Sequence, residues 1–120
     1  MGDFRDLLAY KKGYQLAKDI FEITKHFPSE EKYSLIDQIR RSSRSVCVNL
    51  AEAYRKKRYK AHFISKLSDS ETKNAETSVW LDFSVDFNYL SKETYEELTA
   101  KNTEVGKLLF FMINNPDKFL

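Results

Sequence analysis

Along most of this chain, apolar residues recur three and four positions apart, and almost nothing interrupts the pattern. Gly2, Gly13, Gly106, Pro28 and Pro116 are the only residues of the two types that most readily break helices or form tight turns. A chain with so few breaks buries its apolar side chains by packing long helices lengthwise. The spacing predicts four of them, over about 4–26, 30–57, 59–90 and 92–114. Joined by short connections within one domain of 120 residues, they make an all-α, up-down-up-down four-helix bundle.

Stop and start signals agree with that division. Phe27 and Pro28 end the first helix, because the residue before a proline is pushed out of helical geometry. Ser29 with Glu30 and Glu31, and Ser91 with Glu93, read as N-caps of the second and fourth. Asn115 and Pro116 stop the last.

The apolar surface exceeds what one bundle covers. In the first helix Leu7, Tyr10, Tyr14, Ala17, Phe21 and Thr24 follow the spacing of a buried seam, while Leu16, Ile20 and Ile23 form a second stripe. Trp80, Phe83 and Phe87 occupy a separate arc of the third helix. The run LLFFMI, which contains Phe110 and Phe111, is apolar all round at the end of the fourth. This surplus predicts a homo-oligomer with Leu16, Ile20, Trp80, Phe83, Phe87, Phe110 and Phe111 at the subunit contact. The middles of helices two and three are polar, and an antiparallel hairpin brings them side by side, which predicts close backbone approach with Asn49 and Asn74 hydrogen bonded across or near that contact; the alternative is a water-lined cavity there.

Charge is concentrated in one stretch. Residues 40–60 hold Arg40, Arg41, Arg44, Arg55, Lys56, Lys57, Arg58 and Lys60 against the single acid Glu52, a net of +7. The rest of the chain has 12 basic and 17 acidic residues, so a near-neutral total hides a polarised molecule. On a helical wheel Ile39, Ser43, Val46, Leu50, Ala53 and Tyr54 share an arc of roughly 100°, the buried face. Arg40, Arg44, Arg55 and Arg58 fall within about 60° on an adjoining face.

Such a row of cations suits phosphate, and Tyr54 and Tyr59 stand near enough to stack on bases. The chain therefore reads as a non-enzymatic oligomer binding structured RNA or other nucleic acid through all eight of these cations. The alternative is a protein-assembly scaffold, with the cations solvated or paired with acids such as Glu71 and Glu76. His26 and His62 lie outside any HxxxH, CxxC or ExxH spacing, and no glycine loop or nucleophile set is present. Glu52, Glu71 and Glu76 lack the ExxH partner of a di-iron bundle. No catalytic residue, metal or cofactor is expected. One cysteine, Cys47, and the lack of a long apolar run predict a cytoplasmic protein with no disulfide and no membrane partner.

The stretch FPSEEKYSLIDQIRRSSRSVCVNLAEAYRKKR resembles four-helix-bundle proteins encoded in intervening sequences of bacterial 23S ribosomal RNA genes, related to the accessory proteins of diversity-generating retroelements. The matching positions are Phe27, Pro28, Glu31, Leu35, Gln38, Arg40, Arg41, Ser45, Asn49, Ala51, Glu52 and Tyr54, with Glu76 at the acidic position of helix three. Ala53 stands where the family has Gly, Cys47 where it usually has Pro, and Thr72 and Lys73 where it has a Gly-Ser pair. The resemblance implies a left-handed bundle, commonly a ring of five with a basic surface. For the retroelement relatives it implies binding to nucleic acid and to a reverse transcriptase, and for stand-alone members no established activity.

Overall fold

Capping hydrogen bonds mark several of the helix ends. The computed structural model describes residues 2–120, which form α1 (Leu8–Thr24), α2 (Leu35–Arg55), α3 (Lys60–Asp86) and α4 (Lys92–Asn114). Short 3-10 turns occur at Phe4–Asp6, Ser29–Glu31 and Pro116–Lys118, and no strand occurs among the described residues.

Two helices start later than their periodicity predicts. Before α1, Asp3 and Asp6 cap each other's backbone across a turn of their own, and Leu7 is extended. Before α2, the Glu31 carboxylate accepts from the Ser34 hydroxyl, the Leu35 amide at 3.3 Å and the Tyr89 hydroxyl at 3.0 Å. The acid that looked like part of a first turn therefore caps a helix that starts four residues later.

The third helix stops at Asp86, short of the expected 90. Asn88 takes the left-handed conformation at φ 64°, and Tyr89 N donates to Ser84 O at 2.9 Å while Asn88 N donates to Val85 O at 3.0 Å. This is a Schellman ending with asparagine in the glycine position, which its short polar side chain tolerates. Ser91 caps α4, its hydroxyl accepting from Thr94 N at 3.1 Å.

Each helix packs on the next and α4 packs back on α1, while the diagonal pairs do not meet. Side-chain pairs fix the directions. Arg40 meets Phe21 and Thr24, Ser42 meets Thr77, Glu52 meets Lys66, and Asn74 meets Asn102. Lys12 pairs with Glu104 at 3.2 Å and Lys101 with Asp19 at 2.7 Å. All four contacts are antiparallel, giving an up-down-up-down bundle 44 × 25 × 21 Å in extent.

Ile20, Ile39, Leu50, Ala53, Phe63, Leu67, Leu81, Val105 and Leu109 fill the centre. Each fully buried Leu, Ile or Phe contributes about 1.5–3 kcal/mol relative to exposure. On α2 the predicted stripe of Ile39, Ser43, Val46, Leu50 and Ala53 is buried. On α1 the assignment is largely reversed, with Thr24 the one residue of the predicted seam that is fully buried. The buried face is Ala9, Gly13, Leu16, Ile20 and Thr24, so Leu16 and Ile20, at 4% and 0% exposure, line the core and are closed to any second subunit. Tyr14, predicted to be in the seam, is half-exposed. Small residues explain the turn of the helix: a Cβ on Gly13 would already touch Cys47 Sγ and Val46 Cγ1 at 3.5 Å. Ala9 and Gly13 let α1 approach where a tyrosine stripe would hold it off.

The polar middles are bonded across helix contacts, Asn74 toward α4 and Asn49 only within its own helix. Ser42 and Thr77 share a 2.8 Å hydrogen bond, and the Ser70 hydroxyl donates to Val46 O at 2.8 Å, joining α2 to α3. Asn49 turns back to Ser45 O in its own helix. Asn74 points to α4: its Nδ2 donates to Asn102 Oδ1 at 2.9 Å and Asn102 O at 3.0 Å, and Asn102 Nδ2 returns a bond to Asn74 O at 3.1 Å. Gly106 makes room, since a Cβ there would lie 2.7 Å from Asn74 Oδ1.

Candidate nucleic-acid interface

The basic segment divides into two groups once folded. Arg40, Arg44 and Arg55 do share a face of α2, yet fifteen residues of helix separate Arg40 from Arg55 by about 22 Å. Arg58 lies beyond the helix, in the connection to α3.

The first group is partly consumed by the fold. Arg40 lies over the Phe21 ring at 4.5 Å, and its guanidinium donates to Thr24 Oγ1 at 2.9 Å and Phe21 O at 3.3 Å. It thereby satisfies a carbonyl in the last turn of α1. Arg44 stands 5.6 Å from the same ring, exposed. Arg41 pairs with Asp37 at 3.1 Å, and no bond to Glu71 or Glu76 forms. Glu76 is held by Lys73 and Glu52 by Lys66, at 3.1 and 2.7 Å.

The second group gathers at the end of the rod. Arg55 closes α2, where the helix dipole favours cations. Lys57 folds over Tyr54 with its Nζ 3.9 Å from the ring centroid. Lys60 pairs with Asp117 at 3.0 Å. Arg55, Lys56 and Arg58 are exposed and have no acidic partner within 4 Å among the described residues. Tyr59 lies in the same connection, more than half exposed. The carboxyl of Asp3 is held below its ordinary value chiefly by the Arg5 amide, with Arg5 and Arg55 adding their positive field. An open hollow of about 530 Å³ beside Tyr54, Arg55, Lys57 and Arg58 is floored in part by Leu120.

Between the two groups, α2 presents Cys47 and Val48 to an open groove of about 580 Å³ whose other wall is Tyr10, Tyr14, Ala17 and Phe21 of α1. Reading these α1 residues as core concealed the groove. Burial pushes the Cys47 thiol up to about 12, so it stays protonated and is a poor nucleophile or ligand at neutral pH. No group of three His, Cys, Asp or Glu residues able to hold a metal occurs among the described residues. No described helix is long and apolar enough to cross a membrane.

Of the apolar residues expected at a subunit contact, Phe83, Phe87, Phe110 and Phe111 are between 43% and 62% exposed. Trp80 packs partly against the core, with its indole N–H buried and unpartnered. Tyr33, at 84% exposure, lies beside Phe83 and Phe87 at the opposite end of the rod from the cations.

Comparison with known proteins places the chain. The sequence profile described as 23S rRNA-intervening sequence protein matches residues 5–110. The structure is similar to the crystal structure of a protein of unknown function from the S23 ribosomal protein family of Bacteroides thetaiotaomicron. Identity is 30% and the TM-score 0.84, over 92% of this chain and 99% of that one. No curated protein matches the sequence. With the profile covering nearly all of the bundle, this chain belongs to the 23S rRNA-intervening sequence protein family.

Proposed function

We propose that the protein is a non-enzymatic, left-handed bundle that assembles as a ring of five and binds structured nucleic acid through its cationic end. The observation that carries this reading is the trio Arg55, Lys56 and Arg58, exposed without acidic partners among the described residues, at the end of α2 and in the short connection that follows, beside Tyr59. Spaced cations on a rigid support bind phosphates, and a neighbouring tyrosine adds a stacking surface. Several copies in a ring strengthen a weak site by avidity. The test is fluorescence polarisation with a labelled RNA hairpin over a salt series. Affinity is expected to fall steeply with salt and to drop in the double variant Arg55→Glu, Arg58→Glu. Salt-independent binding, or binding unchanged in that variant, overturns the reading.

A scaffold for another protein is the second reading, favoured by exposed Tyr33, Phe83 and Phe87 around Trp80. Here light scattering is decisive for assembly: a monodisperse monomer excludes the ring. If Phe87→Asp leaves a wild-type oligomer intact, that patch is available to a foreign partner.

A further inference from the structure

The α1–α2 groove has an aromatic wall and a basic rim. Tyr10 and Tyr14 stack at 5.8 Å with an interplanar angle of 24°, and Phe21 continues the row two turns on. From Tyr10 to Phe21 the row spans about 17 Å. Cations accompany the rings: Lys18 Nζ is 5.8 Å from the Tyr14 centroid, and Arg44 is 5.6 Å from that of Phe21. The acids of the groove are already matched, Asp19 by Lys101 at 2.7 Å and Glu22 by Lys25 at 3.2 Å. Lys18 and Arg44 have no acidic partner within 4 Å among the described residues. The net field at the rim is therefore positive, beside the Tyr10–Tyr14 pair, whereas the Phe21 ring is already covered by Arg40 at 4.5 Å.

Alternating aromatic faces and unmatched cations in an open groove suit a flexible polyanion with flat apolar groups. We propose that this groove binds a single-stranded segment of nucleic acid, its unpaired bases against Tyr10 and Tyr14 and its phosphates at Lys18 and Arg44. The inference rests on the nucleic-acid reading above and adds a second site with a different preference. The cationic end reads phosphates of any structured region, whereas a duplex has no base faces to offer the groove.

The experiment uses a fluorescein-labelled 12-nucleotide oligouridylate and a 12-base-pair RNA duplex, titrated with the full chain. Tyr14 is half-exposed, so Tyr14→Ala is expected to keep the helix content seen by circular dichroism. That variant is expected to bind the oligouridylate about tenfold more weakly, the loss of one stacked base. Duplex affinity is expected to stay within about twofold, since phosphate contacts alone serve the duplex. Tyr14→Phe is expected to restore strand binding, because stacking needs the ring and not the hydroxyl. Equal loss for both probes, or no loss for either, overturns the groove site. A change of oligomer mass in Tyr14→Ala also overturns it, by assigning the groove to a second copy of the chain. Arg58→Glu separates the two readings: if it weakens both probes while Tyr14→Ala weakens neither, the groove falls and the cationic end stands. If the wild-type chain binds neither probe, both fall.

Discussion

The middle of this bundle and its cationic end are both polar, and they treat polarity in opposite ways. At the middle every side chain named has a partner: Asn74 with Asn102, Ser42 with Thr77, Ser70 with Val46 O. At the end, Arg55, Lys56 and Arg58 have solvent instead of acids. Buried amides and hydroxyls left unpaired are costly, so the middle has to be closed. Exposed cations bear no such cost, so the end can stay open for a ligand.

The largest test of this contrast is Asn102→Ala. It strands the buried Asn74 amide and is expected to lower unfolding stability by about 3 kcal/mol, measured by urea denaturation. Replacing Asn74 and Asn102 together by Leu removes both polar partners and is expected to cost less than the single change. If the double variant is the weaker, the pair does more than satisfy itself.

Next comes Gly106→Ala. Its Cβ falls 2.7 Å from Asn74 Oδ1, and the lost pairing outweighs the roughly 0.8–1 kcal/mol that alanine gains in a helix. A net loss of about 1 kcal/mol is expected by the same denaturation.

A smaller effect separates the two basic groups. Arg40→Ala removes two hydrogen bonds and the Phe21 contact, and about 1 kcal/mol of stability should go with them. Arg58→Ala should change stability by less than about 0.5 kcal/mol. Equal losses would mean that the end is as much a part of the fold as the middle.

The smallest expected effect is on pH dependence. Hydrogen bonds from Ser34, Tyr89 and the Leu35 amide hold the Glu31 carboxyl below its ordinary value of 4.5. A lowered folded-state value stabilises the protein above the unfolded one, and that contribution is lost as pH falls through the folded value. Melting temperature is therefore expected to decline as pH drops below about 4.5, and Glu31→Gln should flatten that part of the decline. The same bond raises the Tyr89 hydroxyl above its ordinary 10.0. Its contribution is present below that pH and disappears as the solution becomes more alkaline.

How much of this could be read from residues alone depends on what each reading required. The α2 face was readable because Ile39, Val46, Leu50 and Ala53 satisfy a single helical period. The α1 face was misread because its buried contacts include Ala9 and Gly13, whose smallness looks like an absence of signal. Periodicity also cannot show when a side chain caps the start of a helix from a few residues upstream, as Glu31 does for α2, or when an asparagine takes glycine's role, as Asn88 does after α3. For the site, the excess of cations over 40–60 is plain in the composition, but its division is not. Whether Arg40 is spent or free depends on Phe21 and Thr24, and whether Lys60 is free depends on Asp117.

By itself the sequence determined that four rods form, roughly where they lie, and that positive charge collects near the second connection, because these follow from local period and local composition. Only the tertiary structure decided which side of α1 is buried, that Asn74 takes Asn102 as its partner, and which cations remain unmatched. Those outcomes depend on which surfaces approach closely enough to exclude water, and that is a property of pairs of helices brought together from distant parts of the chain.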